Sequence, residues 1–427
     1  MKTTLKLAAI IGFTLLAAGP LAQVSNATDT NNKEKQYQDF YTVRGTVKER
    51  GSNKILEYAN ISLKGSNIGT ITNSNGNFSL KIPNGQTNRQ IEVTHIGYNT
   101  VTVNVGKEST QELSIQLDPL PGLLDEITIK AIDAEELVST AIEKITANYN
   151  MNAQLLTGFY RETIRKRKSY INVSEAVVDI YKRPYSENSD IDFVAIHKGR
   201  KLISTKPQDT LMVKFLGGPN LVLYLDVVKS PDLMFAKSNL YQYKYTIEEI
   251  VMIEERPHYV VSFEPRVILP YALHYGKLYI DRHSLAVSRA EVNVDMSDRN
   301  KVTDAILKKK PLSMRFRVDK ISYLVTYKHR DGKTHLNYIR SETEFRCDWK
   351  RRLFSTNYSI VSETVITGGR NESPDRMRYR TAFRDNQSLS ERVQNFYDPD
   401  FWENYNIIEP EESLENAVSR LLKTREE

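Results

Sequence analysis

Between Tyr41 and Leu117 apolar residues alternate with polar ones in short runs separated by turn residues, the pattern of β-strands with one buried face. Val43, Gly45 and Val47 form the first alternation, and Gly51-Ser52-Asn53 turns the chain. Ala59, Ile61 and Leu63 form the second, ended by Gly65. Thr70 to Thr72 leads into Asn73-Ser74-Asn75-Gly76, where Asn-Gly supplies the positive backbone angles of a tight hairpin. Phe78, Leu80 and Ile82 share one face before Pro83-Asn84-Gly85. Ile91 and Val93 start another strand; Val101, Val103 and Val105 follow Gly97-Tyr98, and Leu113, Ile115 and Leu117 complete the series. A single apolar side on every strand requires two sheets facing each other, so residues 40–118 are expected to form a small sandwich.

Asp118-Pro119-Leu120-Pro121-Gly122 is a stiff connector, and residues 119–132 are read as a linker in which Ile127 and Ile129 form one strand. Asp133 is placed to cap a helix with Glu136 at its third position, and Leu137, Val138, Ala141, Ile142 and Ile145 make one apolar stripe. Alternation then returns at 157–166, 170–181, 241–254, 259–264, 277–281, 286–294, 314–328, 336–346 and 354–366. Residues 183–240 interrupt it as an insertion holding Gly217-Gly218-Pro219 and the apolar patch Leu221 to Val228, a place for a lid or partner surface. Phe401-Trp402 and Asn406-Ile407-Ile408-Glu409-Pro410 precede a helix over 413–424, capped by Ser413, with Leu414, Ala417, Val418, Leu421 and Leu422 on one face. The expected fold class is mainly β: a small sandwich, then an α+β domain over 133–427 with an extended curved antiparallel sheet.

Lys2, Lys6 and the apolar run Leu7 to Ala18, broken by Gly19-Pro20-Leu21-Ala22, read as a signal peptide over 1–22, followed by a flexible leader over 23–39. The run is about half of the roughly 20 residues a spanning helix needs, and no later stretch is long and apolar enough to cross as one. Export to the periplasm, the outer-membrane surface or the medium is therefore expected. Cys347 is the one cysteine, so neither an intrachain disulfide nor a lipid anchor at the cleavage site is expected, and Cys347 reads as a buried small hydrophobe. A net charge of +6 on 59 basic and 53 acidic residues is a mild excess that does not indicate nucleic-acid binding. The 24 tyrosines among β-branched residues suit a sheet-dominated chain.

No catalytic, cofactor-binding or metal-binding residue can be assigned from the sequence. The seven histidines (His95, His197, His258, His274, His283, His329 and His335) include no helical zinc-protease pair, and nothing adds a third ligand to His258, His274 and His283. There is no Gly-x-Ser-x-Gly elbow. Glu254-Glu255, Glu264, Asp281, Glu291 and Asp295 are the carboxylates a glycosidase pair would draw on, but alternation puts them on solvent faces. The basic runs Arg161/Arg165/Lys166/Arg167/Lys168, Lys308-Lys309-Lys310 and Lys350-Arg351-Arg352 read as turns and solvated faces, with anionic lipid or polysaccharide as the alternative contact.

Four motifs in order carry a family resemblance: Val43-x-Gly45-x-Val47, Ala59-Asn60-Ile61-x-Leu63-x-Gly65, Gly69-Thr70-x-Thr72-Asn73-x-x-Gly76-x-Phe78, and Gly97-Tyr98. Residues 43–105 thereby resemble the carboxypeptidase-regulatory-like domain common in exported Bacteroidetes proteins. The resemblance implies a seven-stranded prealbumin-like sandwich, an accessory fold often attached to outer-membrane transporters or surface enzymes and without peptidase activity. From about Leu124 the chain resembles the uncharacterised β-rich region that follows this domain, through Phe159-Tyr160-Arg161-Glu162 and the strand ending at Tyr181. Tyr275-Gly276-Lys277-Leu278-Tyr279-Ile280-Asp281 is similar to a strand of periplasmic lipoprotein carriers, whose curved sheet holds acyl chains. That similarity implies a half-open barrel whose apolar side faces a lipid or other apolar ligand, with 183–240 near its mouth.

The reading is a non-catalytic envelope binding or assembly protein, and not a zinc carboxypeptidase. An outer-membrane protein, a lipid or a polysaccharide is its expected partner, and no cofactor is called for. A carboxylate-dependent hydrolase of an envelope polymer would instead show two acids about 5–10 Å apart in a cleft. A purely structural protein would show no cavity.

Overall fold

The computed structural model describes residues 40–106, 110–120, 132–186, 192–206, 209, 218–230, 235–306, 314–349, 355–370, 377, 382–384, 389–395, 402, 405–411, 414–419 and 421. The signal segment, the leader, the strand expected at Ile127 and Ile129, the Ser413 cap and the basic runs at 308–310 and 350–352 lie outside the described residues.

Seven strands build the sandwich. β1 (Phe40–Glu49), β4 (Asn77–Pro83) and β7 (Thr110–Leu117) form one sheet in the order β4-β1-β7. β2 (Asn60–Leu63), β3 (Gly69–Ile71), β5 (Gln90–Thr94) and β6 (Val101–Asn104) form the other in the order β3-β2-β5-β6. Val43, Val47, Ile61, Leu63, Phe78, Leu80, Ile82, Ile91 and Val93 close the core between them. Two glycines are required by space. A Cβ at Gly45, which pairs with Phe78 on one side and Leu113 on the other, would lie 2.2 Å from the Leu113 carbonyl oxygen. Gly76 has φ +74°, and its Cβ would meet the Val47 carbonyl at 2.8 Å. The turn before it is held by Asn73, whose Oδ1 accepts from the backbone N–H groups of Asn75 and Asn77.

The second part is one 11-stranded sheet in two sections. A meander runs through β11 (Tyr243–Ile253), β12 (Arg256–Pro265), β13 (His274–Asp281), β14 (Val287–Val294), β15 (Met314–Arg330), β16 (Lys333–Trp349) and β17 (Thr356–Arg370). The other section holds β8 (Gln154–Lys166), β9 (Ser169–Lys182), β10 (Phe193–Ile203) and the short β18 (Gln394–Asn395). They join where β17 pairs antiparallel with β8. Every neighbour is antiparallel except β10 with β18. The span 183–240, expected as an interruption, contributes β10 to this sheet. Its alternation is broken by a register shift between Ile196 and Lys198 and by the polar run Lys198-Gly199-Arg200-Lys201, so it lacks a strand's signature.

On one face lie α1 (Ala134–Glu143), α2 (Ile145–Asn148), α3 (Pro219–Leu223) and a 3-10 helix (Lys237–Gln242). Asp133 caps α1 as the sequence predicts, its Oδ1 accepting from the N–H groups of Glu135 and Glu136, and Leu137, Val138 and Ala141 are buried. α4 (Arg299–Ile306), not foreseen, places Val302 over Phe316, Val318, Phe345 and Cys347 near the other end of that face. Burial pushes the Cys347 thiol up to about 12, an unreactive state. On the opposite face, Leu414, Ala417 and Leu421 pack against Tyr170, Val173 and Leu202.

Replacing Gly45 with alanine forces its Cβ into a backbone oxygen that cannot step aside. Gly45→Ala should lower unfolding stability by about 1–3 kcal/mol, read as a fall in urea midpoint at unchanged m-value.

Candidate functional site

The motif Phe159-Tyr160-Arg161-Glu162 occupies the middle of β8, and strand alternation sends its members to opposite faces. Tyr160 faces the helix-covered side, where its hydroxyl donates to Glu162 Oε2 at 2.9 Å. Burial raises the Glu162 carboxyl above its ordinary range, against the opposing hydrogen bond from Tyr160. Phe159 faces the other side and meets Trp402 edge-on at 5.5 Å. Arg161, also on that side, is only 3% exposed.

Arg161 is the centre of a charge ladder across five neighbouring strands. Direct cross-strand pairs run Arg200 on β10, Glu175 on β9, Arg161 on β8, Glu363 on β17 and Arg340 on β16. The nitrogen–oxygen separations along it are 2.7, 2.8, 3.8 and 3.8 Å. Burial opposes ionisation of Glu175, but the guanidiniums of Arg161 and Arg200 outweigh it and hold this carboxyl below the usual range. Arg161 Nη2 also donates to the carbonyl of Ile408 at 2.7 Å. The expectation that the basic cluster beginning at Arg161 is a solvated face is thus corrected for its first member. Arg161, Glu175 and Glu363 are buried because the C-terminal segment and the sandwich cover them, while the end members Arg200 and Arg340 are half-buried. Farther along, Arg165 lies over the ring of Tyr170, and Lys166 pairs with Asp209 at 3.0 Å.

The cover is made by residues 402 and 405–411. Thr70 donates to the Ile407 carbonyl, and Asn73 Nδ2 reaches the carbonyls of Glu409 and Pro410. Asn406 clasps the backbone of Lys81, accepting from its N–H at 2.6 Å and donating to its C=O at 3.1 Å. Ile71 of β3 joins Phe159, Val177, Tyr338, Val365, Trp402 and Ile408 in one apolar cluster. Beside this junction opens a cleft of about 520 Å³. Phe40, Arg44 and Lys81 line it from the sandwich, Glu175 and Arg200 from the sheet, and Trp402, Glu409 and Glu415 from the tail. Burial raises the Glu409 carboxyl; Arg44 works against the shift and Glu415 adds to it.

The helix-covered face is fastened by a second buried network. Lys182 Nζ bridges Asp192 and Asp226, each at 2.7 Å. Lys229 reaches Asp192 Oδ1 at 2.5 Å and the Arg183 carbonyl at 2.9 Å. Tyr185 and Tyr327 donate to the two oxygens of Asp226. Burial and the neighbouring Lys182 push Lys229 down to about 8, although Asp192 opposes this. The chain after Pro219 is therefore pinned onto the sheet, where Val222, Leu223, Val227 and Val228 join the apolar core.

Of the carboxylates and histidines singled out from the sequence, Glu254, Asp281, His258 and His329 line one small void, and the other carboxylates are dispersed. Glu254 and Glu255 are the two positive-φ residues of the β11–β12 hairpin, and burial raises the Glu254 carboxyl. Glu264 pairs with Lys244, and Glu291 with Arg289. Asp295 accepts from the backbone N–H and the hydroxyl of Ser297. Asp281 receives a bidentate bond from Arg256 and caps the turn through Ser284, which holds its carboxyl at about 2 against the opposing effect of burial. His258 lies near it, its Nδ1 bonded to the Arg256 carbonyl and its Nε2 2.7 Å from the Ser288 hydroxyl. The void there is about 10 Å³, too small for a substrate. His274 packs edge-on to Tyr323 and His197 on Tyr405; the backbone N–H of His283 caps Asp281. Among the described residues, no three His, Cys, Asp or Glu side chains form a group that could hold a metal ion.

The sandwich's order of strands and turns agrees with a comparison of sequence families. Residues 43–129 match the CarboxypepD_reg-like domain. The match takes in the sandwich from β1 to β7 and runs on into the connector. No curated protein matches the chain. Of solved structures, a DUF1329 family protein from Desulfovibrio piger is 10% identical with a TM-score of 0.21, covering 56% of this chain and 92% of its own. A LolA superfamily protein from Nitrosomonas europaea is 10% identical with a TM-score of 0.17, covering 55% and 94%. A protein of unknown function from Bacteroides fragilis is 10% identical with a TM-score of 0.16, covering 77% and 98%. Likenesses at this level bear on neither ligand nor activity.

Removing the bridging cation leaves the buried Asp226 with tyrosine hydroxyls in place of an ion pair and Asp192 with Lys229 as its cation. Lys182→Met should destabilise the protein by about 3–5 kcal/mol, measured by denaturant unfolding at neutral pH. Acid should also weaken the fold. Burial, with Arg289 beside His95 and Arg330 beside His335, pushes His95, His274 and His335 each down to about 4. The unfolded chain takes up protons near 6.5 and the folded chain only near 4, so stability falls as pH drops through that window. Urea midpoints at successive pH values should show this slope, and His274→Gln should flatten it.

Proposed function

We propose that this chain is a non-catalytic binding or assembly protein of the bacterial envelope, and that the cleft joining the CarboxypepD_reg-like domain, the large sheet and the tail receives its ligand. The observation that carries the reading is the composition of that cleft. Three sequence-distant parts meet there and present aromatic rings, guanidinium groups and carboxylates around an open space. A hydroxyl-rich ligand, such as a saccharide of an envelope polymer, suits such a lining, because ring faces take its apolar side and charged groups take its hydroxyls. An acyl chain on the helix-covered face is less favoured. It would have to displace the segment that Lys182, Asp192 and Asp226 fasten down.

The competing hydrolase would place its work on Glu409, raised by burial, with Glu415 nearby. Glu175 is unsuited to acid–base exchange because two arginines keep it ionised. Titration calorimetry of the exported chain against soluble envelope-polysaccharide fragments tests the proposal. Saturable binding without release of new reducing ends is expected, weakened about tenfold by Arg44→Ala, the loss of one charge-assisted hydrogen bond. Product release that Glu409→Gln abolishes would replace this reading with the hydrolase. Absence of binding to every fragment would remove the saccharide assignment.

A further inference from the structure

The connection between β12 and β13 departs from the rest of the surface. From Val267 to Leu273 it reads Val-Ile-Leu-Pro-Tyr-Ala-Leu, seven residues without a charge. Its side chains alternate. Val267, Leu269 and Tyr271 lean onto the core of the large sheet, while Ile268 and Pro270 point away from it. Ile268 is 92% exposed, the most exposed large hydrophobic side chain among the described residues. The loop is also fastened at both ends: Arg266 N–H donates to the Gln242 carbonyl at 2.8 Å, and the Leu273 carbonyl accepts from Asp295 N–H at 2.8 Å. Its neighbours in the loop are committed to the core, and among the described residues Ile268 stays uncovered.

Two other exposed large hydrophobics flank this tip: Tyr241, 58% exposed on the adjoining 3-10 helix, and Tyr275, 46% exposed at the start of β13. A protruding aliphatic side chain with exposed tyrosines near the ends of its loop is the arrangement of a membrane–water interface, where the ring enters the acyl boundary and the hydroxyl stays among the headgroups. Three ion pairs lie at its base, Arg266 with Glu135, Lys244 with Glu264 and Lys301 with Asp298, beside the carboxylate of Asp295, so the base carries no basic excess. They neither repel an anionic bilayer nor require one. A stable protein interface, in contrast, needs on the order of 800 Å² from each partner, far more than one loop tip offers.

We infer that the β12–β13 tip inserts shallowly into a lipid bilayer through Ile268, with Tyr241 and Tyr275 at headgroup level. This contact is independent of the saccharide cleft and places the protein against a membrane surface.

Flotation of the exported chain with phosphatidylethanolamine–phosphatidylglycerol vesicles tests it. The wild type is expected to float with the vesicles at both low and high salt, since the contact is apolar. Ile268→Asp should lower the partition coefficient by roughly tenfold or more, the loss of one buried aliphatic side chain. Ile55→Asp, an exposed apolar position in the sandwich, should leave it unchanged. Thermal melts should show both variants as stable as wild type, because neither side chain is buried. Three results would each overturn the assignment: no flotation of the wild type, equal loss in both variants, or loss of all flotation at high salt. An Ile268→Asp effect on self-association without one on flotation would assign the tip to a second copy of the chain.

Discussion

Five charged side chains, Arg200, Glu175, Arg161, Glu363 and Arg340, sit side by side across the middle of the large sheet, and the burial of the middle three decides how the rest of the chain is arranged. Each is the direct cross-strand partner of the next. Taken alone, each would lose several kcal/mol on leaving water. In alternating order each carboxylate lies between two guanidiniums, so attraction offsets desolvation along the whole row. Such a row on an open face would be an ordinary set of surface pairs worth little. Covered, it becomes specific, because only a cover that supplies acceptors to the outer guanidinium nitrogens is compatible with it. The Ile408 carbonyl is such an acceptor.

That requirement explains why the tail and the sandwich belong to the large sheet's own structure. The tail crosses the ladder, and the CarboxypepD_reg-like domain grips the tail through Thr70, Asn73 and the backbone of Lys81. Asn73 acts twice, its Oδ1 shaping the hairpin and its Nδ2 holding the tail, so the turn that completes the sandwich also sets its docking. The opposite face is closed by separate means. Lys182 lies on β9 seven residues beyond Glu175, and strand alternation turns it to the other side, where it fastens the segment after Pro219.

The sequence made the strands legible because alternation with a period of two survives wherever one face is polar. The capped helix at Asp133 and the glycine positions were legible for equally local reasons. The ladder was not. Arg161, Glu175 and Arg340 each stand between one polar neighbour and one less polar one, as solvent-facing charges also do, and only the cover separates the two cases, for Arg161 from a residue over 200 positions away. One signal was available: Ala176-Val177-Val178 puts apolar groups on both faces of β9, the mark of a strand covered on both sides. Glu175 in such a strand had to be buried and paired. β10 was missed for the converse reason, since its bulge and four-residue polar stretch erase the period.

The helix-covered face is closed, but the opposite face is covered only around the ladder, and open space is left at the border of that cover. The cleft arises because a sandwich of seven short strands cannot cover the whole outer face of an eleven-stranded sheet; the space between its β1–β4 edge and the C-terminal helix stays open. Glu175 and Arg200, the end of the ladder that lines this space, are fixed by each other before any ligand arrives. A site whose charged groups are already paired fits the proposed binding of a hydroxyl-bearing ligand better than proton transfer, because the guanidiniums beside Glu175 hold its carboxyl below the usual range.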